Sequence, residues 1–138
     1  MLESNNKGDE AMAYIDIVTA LAVLQFIVFG FRVGSARGKY GVKAPAITGN
    51  ETFERYFRVQ QNTLEQLIGF IPAIYIFAKY WSPLVAAALG VVYLAGREVY
   101  AFTYVKDPSK RDVGYGMTFL PLVILVGGAL IGAVRALF

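Results

Sequence analysis

The side chains able to do chemistry in this sequence are arginines, tyrosines, carboxylates and amides, and they crowd into two short stretches. In ERYFRVQQNTLEQLIGFIP, residues 54–72, Arg58, Asn62 and Glu65 are spaced i, i+4, i+7, so a helix places all three on one face. In GREVYAFTY, residues 96–104, Arg97, Tyr100 and Tyr104 follow i, i+3, i+7 and form a second polar stripe. Facing each other, the stripes make a pocket of guanidinium, amide, carboxylate and phenol groups. Arginine offers bidentate contacts to a carboxylate, and a glutamate suits an amine, so the implied ligand is small and zwitterionic or anionic. There is no cysteine and no histidine. Disulfides, thiolate or imidazole metal sites, the serine-histidine triad and the usual general base are thereby excluded. Reaction chemistry must use Arg, Tyr, Glu or Asp, or a nucleophile that the substrate brings.

Each of these residues also has a plainer reading. Arg58 would snorkel to lipid headgroups, and Arg97 would pair with Glu65 or Glu98 as glue between helices. Interfacial tyrosines such as Tyr104 serve as membrane anchors, and Lys39, Lys43 and Lys106 as topological determinants. Gln60 and Gln66 sit off the main face, and the spacing assigns them no role.

The elements that must position this site are membrane-spanning helices. At 138 residues the chain makes one domain. With 57% apolar and only 17% charged residues, a soluble fold of this size would lack polar surface, whereas lipid removes the need for it. The expectation is an all-α, four-helix integral membrane bundle. Residues 1–12 read as a flexible tail without signal-peptide character. Spans are expected at about 14–33, 51–80, 83–105 and 110–137, each near or above the ~20 residues that cross the hydrocarbon layer. Thr48 to Glu51 and Ser109 to Asp112 have capping-box spacing and would start the second and fourth helices, with Lys110 and Arg111 in the fourth helix's first turn. The second and fourth contain Pro72 and Pro121, and the fourth also a Gly127-Gly128 pair.

Arg32, Arg37, Lys39, Lys43, Arg55, Arg58, Arg97, Lys106, Lys110 and Arg111 fall on the side of the first and third connections. Lys7, Lys79 and Arg135 fall on the other. Ten against three places those connections and the pocket on the cytoplasmic side and both termini opposite. The net charge of +3 lies in short loops without interleaved aromatics, so nucleic acid is not the expected partner.

FERYFRVQQNTLEQ, the four spans and GREVYAFTY together resemble the MAPEG family, membrane-associated proteins in eicosanoid and glutathione metabolism. Within it they are most similar to the microsomal glutathione transferase and leukotriene-synthase branch. The resemblance covers nearly the whole chain after about Met12; its helix-two motif is specific and its loops are not. It implies a homotrimer of four-helix subunits with glutathione bound between neighbours near the cytoplasmic face. Carried over by motif, Arg37, Arg58, Gln60, Asn62, Glu65, Arg97, Tyr100 and Tyr104 would bind glutathione. Arg111, seven residues after Tyr104, would stabilise its thiolate. A free thiol has a pKa near ~8.5, and both an arginine and a helix N-terminus lower it.

The chain departs from the leukotriene synthase at Gln66, where that enzyme has a tyrosine, and at Gly38, where it has a second arginine. The spacing from Glu65 to Pro72 also differs. These departures argue for a broader glutathione transferase that conjugates hydrophobic electrophiles, with peroxidase activity on lipid hydroperoxides. The alternatives within the same resemblance are a non-enzymatic lipid-binding scaffold and a glutathione-dependent isomerase.

Overall fold

The computed structural model describes residues 2–138, with side chains from Gly8 onward. It is an all-α bundle of four long helices: α1 (Leu2–Tyr40), α2 (Glu51–Tyr80), α3 (Pro83–Lys106) and α4 (Asp112–Arg135), with a 3₁₀ turn at Pro108–Lys110 before α4. The segments Gly8–Tyr40, Pro83–Lys106 and Pro108–Arg135 are long and apolar enough to cross a membrane. The same bundle is apolar outside as well as inside. Ile68, Leu84, Phe102 and Leu130 are each more than three-fifths exposed, which suits lipid and not water. The core is built from Ile15, Ala22, Phe70, Ile74, Tyr93 and Leu125, with the Phe70 and Tyr93 rings stacked at 4.0 Å.

Two expected boundaries move. The first helix is longer at both ends than 14–33. Residues 2–12, expected as a flexible tail, continue the helix, whose glutamate, alanine and methionine favour it. Met1 and the side chain of Lys7, counted above among the outer charges, lie outside the described residues. At the other end Gly34 and Gly38 do not stop the helix; Gly41 does. Its φ of +68° gives the left-handed residue after the last turn, and the Val42 amide donates to the Arg37 carbonyl at 3.1 Å, as in a Schellman motif. Val42 then packs with Val33, Ala36 and Phe53, so the connection to α2 is short and anchored.

The caps also differ from the expected pair. Asn50, not Thr48, caps α2: its Oδ1 accepts from the amides of Thr52 at 3.0 Å and Phe53 at 3.1 Å. Gly49, at φ +126°, turns the chain between Thr48 and the helix, which takes Thr48 out of capping position. Before α4, Ser109 caps nothing. Asp107 accepts from the Ser109 amide and hydroxyl at 3.0 and 2.7 Å and thereby forms the 3₁₀ turn. Those two bonds, the hydroxyl's first, hold the Asp107 carboxyl below the usual carboxylate range. Lys110 ends that turn, and Arg111 becomes the residue preceding α4, which has no side-chain cap.

Candidate functional site

The site is assembled where α2, α3 and the start of α4 meet. Along α2, Arg58 Nη1 donates to Glu65 Oε1 at 3.2 Å and Asn62 Nδ2 donates to Glu65 Oε2 at 3.3 Å, so the i, i+4, i+7 row is one hydrogen-bonded face. From α3, Arg97 Nη1 donates to Asn62 Oδ1 at 3.0 Å and Nη2 to Thr63 Oγ1 at 2.6 Å. The Arg97 guanidinium lies 4.5 Å from the centre of the Tyr100 ring, and Tyr100 stacks on Tyr104 at 5.3 Å. Six of the expected residues, Arg58, Asn62, Glu65, Arg97, Tyr100 and Tyr104, are therefore links of one continuous chain of contacts. Arg58 and Tyr104 also line a cavity of about 350 Å³ together with Glu51, Glu54, Arg55 and Pro108.

Arg97 takes neither of the carboxylate partners, Glu65 or Glu98, that its plainer reading offered. Its side chain is fully buried and bonds two neutral groups, while Glu98 turns outward to Arg32 at 3.2 Å and to Gln25 Nε2 at 3.1 Å. Buried in this way, Arg97 holds the site from behind: it fixes the Asn62 amide so that Nδ2 points at Glu65. Thr63 was not among the residues singled out from the sequence. Its hydroxyl accepts from Arg97 and donates to the Val59 carbonyl at 2.7 Å, a pairing that no spacing rule signals.

The packing of α4 on α3 brings the start of α4, where Arg111 stands, alongside the Tyr100–Tyr104 end of the site. A side-chain carbon on Gly114 would lie 2.3 Å from the Tyr100 amide nitrogen and 2.5 Å from its Cα, and one on Gly96 would lie 2.7 Å from Met117 Cβ. The antiparallel helices thus touch backbone to backbone, with Tyr100 against Gly114. One turn before Gly114, this register brings Arg111 level with Tyr104. A guanidinium at the uncapped start of a helix adds to the positive end of the helix dipole, and the two together favour an anion. Gly114→Ala is expected to lower the thermal unfolding midpoint in detergent by the equivalent of about 1–3 kcal/mol, since the obstacle is backbone. Gly116→Ala, which meets nothing within 4 Å, leaves the midpoint where it is.

Two expected residues stay apart from the rest. Arg37 donates through Nη1 to the carbonyls of Val42 at 3.2 Å and Ala46 at 2.6 Å, and its guanidinium lies 4.7 Å from the Phe53 ring centre. Gln60 faces α1, where its Nε2 lies 3.1 Å from the place a side-chain carbon on Gly30 would take. Two residues on from Arg58, it points to the opposite side of α2. Within one subunit neither touches the chain of contacts described above.

Comparison with known proteins shows the family. The chain is 51% identical over 115 residues to an uncharacterized protein of Synechocystis sp., covering 83% of this chain and 84% of that one. It is 38% identical over 112 residues to microsomal glutathione S-transferase 2 of Homo sapiens, covering 80% and 76%. With leukotriene C4 synthase of Bos taurus it shares 31% identity over 123 residues, covering 89% and 82%. The family profile of MAPEG matches residues 15–131, nearly the whole bundle and all nine of the residues proposed above for the site, and the chain belongs to the MAPEG family.

Proposed function

We propose that the protein is a membrane-bound glutathione transferase that joins glutathione to hydrophobic electrophiles and reduces lipid hydroperoxides. The observation that carries this reading is the Arg58–Glu65 pair. Both side chains are about half exposed, 53% and 56%, and they satisfy each other across one face of α2. An exposed pair of this kind contributes only ~0–1 kcal/mol, so exchanging it for a ligand costs little. Glutathione ends in an amino acid zwitterion, whose carboxylate suits Arg58 and whose ammonium suits Glu65. Tyr104, which shares a cavity with Arg58, and Tyr100 stacked on it would lead from that pair towards Arg111, where the thiol would lie.

There the thiol ionises under Arg111 and the start of α4, and its sulfur bonds to the electrophilic carbon as the leaving group departs with its electron pair. With a hydroperoxide, the thiolate attacks the outer oxygen, the lipid alkoxide departs and takes up a proton, and a second glutathione displaces water from the resulting sulfenic acid to give the disulfide. The human and bovine relatives are named for glutathione transfer and leukotriene C4 synthesis, which supports glutathione as co-substrate here.

The isolation of Arg37 and Gln60 supports an assembly of subunits, which the family resemblance makes a homotrimer. Both face away from the Arg58–Glu65 row, so they join a glutathione site only if a neighbouring subunit presents them. Following the basic connections, the site lies at the cytoplasmic end and both termini at the other.

Isothermal titration of glutathione into the detergent-purified protein tests the reading. Saturable binding is expected, weakened roughly 10- to 100-fold in Arg58→Ala, the effect of a lost charge-assisted hydrogen bond. Absence of saturable binding to the unsubstituted protein would sink the proposal.

A further inference from the structure

A larger cavity than the one beside Arg58 lies elsewhere, at the same end of the bundle but on another side. It measures about 570 Å³ and is a groove between α1 and α3 floored by α2. Its walls are Phe29, Val59, Ala101 and Val105, all buried or half-buried, with the exposed Phe102 at its edge. Around Arg32 and Tyr56, which line both, it adjoins a second depression of about 420 Å³ along α1 that is bordered by Lys39. None of the residues in the Arg58–Glu65 row borders either space.

The rim is cationic. Arg32, Lys39 and Lys106 face one acid, Glu98, which is already occupied by Arg32 and Gln25. Lys106 lies 5.9 Å from the Phe102 ring centre and Lys39 lies 5.3 Å from that of Tyr40, so both chains fold along aromatic walls and keep their ammonium groups at the groove. Lys106 is the last residue of α3, and Arg32 stands two turns inside the end of α1. That is headgroup depth for a bundle embedded along these helices.

Apolar walls leading into the membrane beneath three cations and a phenol describe a phospholipid: one acyl chain against Phe29, Ala101 and Phe102, and a phosphate among the basic groups. We propose that the α1–α3 groove is a binding site for an anionic phospholipid. The net positive rim selects anionic over zwitterionic headgroups, since the single carboxylate offers no free oxygen pair to a choline or ethanolamine ammonium. The site does not touch the α2–α4 constellation and is independent of what that constellation binds.

The test is native mass spectrometry of the full-length protein, stripped of lipid in detergent and exposed to equal amounts of palmitoyl-oleoyl-phosphatidylglycerol and -phosphatidylcholine. Retention of phosphatidylglycerol over phosphatidylcholine is expected. Each of Lys106→Gln and Lys39→Gln is expected to lower that preference about fivefold, the usual effect of one juxtamembrane cation. Neither lysine bonds an acid in the structure, so these variants fold whether or not Arg32→Gln does. Equal retention of the two lipids overturns the proposal, as does a preference that both lysine variants keep. Glycerol phosphate without acyl chains is expected not to compete; if it displaces the lipid fully, the site is one for a soluble phosphate and the proposal fails.

Discussion

Arg111→Ala is expected to lower kcat/KM for conjugation about 100-fold at neutral pH while changing glutathione affinity less than tenfold. The arginine sits outside the row that would grip the peptide, at an uncapped helix start, where its charge adds to the helix dipole. A free thiol with a pKa near ~8.5 is only a few per cent thiolate at neutral pH, so losing the ionising charge alone removes a factor of about 30. Loss of a preorganised cation at the reacting sulfur adds to that. The sign of the pH effect follows: the enzyme reaches its plateau below the free-thiol range, and the variant's rate climbs until the pH passes about 8.5. Steady-state rates across pH, with the ultraviolet absorbance of the bound thiolate, check both parts. A variant with the unsubstituted pH profile would assign the activation to another group.

The second large effect separates charge from partner in the buried network. Thr63→Val is expected to destabilise the protein by about 3 kcal/mol, more than Arg97→Leu. Intuition says the reverse, because the arginine makes more bonds. The valine variant leaves a guanidinium sealed in the bundle with a further donor unmet beside the already unpartnered Nε, and an unmet charged group carries the larger penalty. Arg97→Leu instead removes the charge whose burial at membrane depth costs roughly 2.5–3.5 kcal/mol. That relief offsets most of what is lost with the two bonds to Asn62 and Thr63. Its damage appears in binding. With Asn62 no longer held, Glu65 loses its neighbour's direction and glutathione affinity is expected to drop about tenfold. The pH profile stays in place because Arg111 is untouched. Chemical denaturation of the two variants beside their binding curves decides it; equal destabilisation would mean that Arg97 contributes mainly as packing.

Much of this was legible in the residues themselves. The spacing of Arg58, Asn62 and Glu65 needs only a helix to become a face, and the distances within α2 follow from that alone. The start of α3 was readable because Ser82 and Pro83 are strong local signals. Three features were not. Thr48, Asn50 and Ser109 have similar capping chemistry, and the selection among them depends on the positive φ of Gly49 and on the turn formed by Asp107. The plainer reading of Arg97 pairs it with a carboxylate, as charge logic suggests. Whether it meets Glu65, or Asn62 and Thr63, depends on how α2 is rotated against α3, which tertiary packing decides. Arg37 and Gln60 carry the right chemistry for the site but lie on another side of the subunit, and no periodicity within one chain reveals that.

The polar face of α2 has a consequence for how the protein is made. α1, α3 and α4 supply segments apolar enough to leave the translocation machinery for lipid on their own account, and α2 does not. Arg55, Arg58, Asn62 and Glu65 load its first half, so as a lone segment it would remain at the interface. Asn62 and Thr63 find their donor on α3, the next span to be synthesised. The buried guanidinium of α3 likewise finds its acceptors only on α2. The two spans are thus committed to enter the bilayer as a hairpin, and a nascent chain halted before Arg97 would leave α2 without the partner that lets it cross.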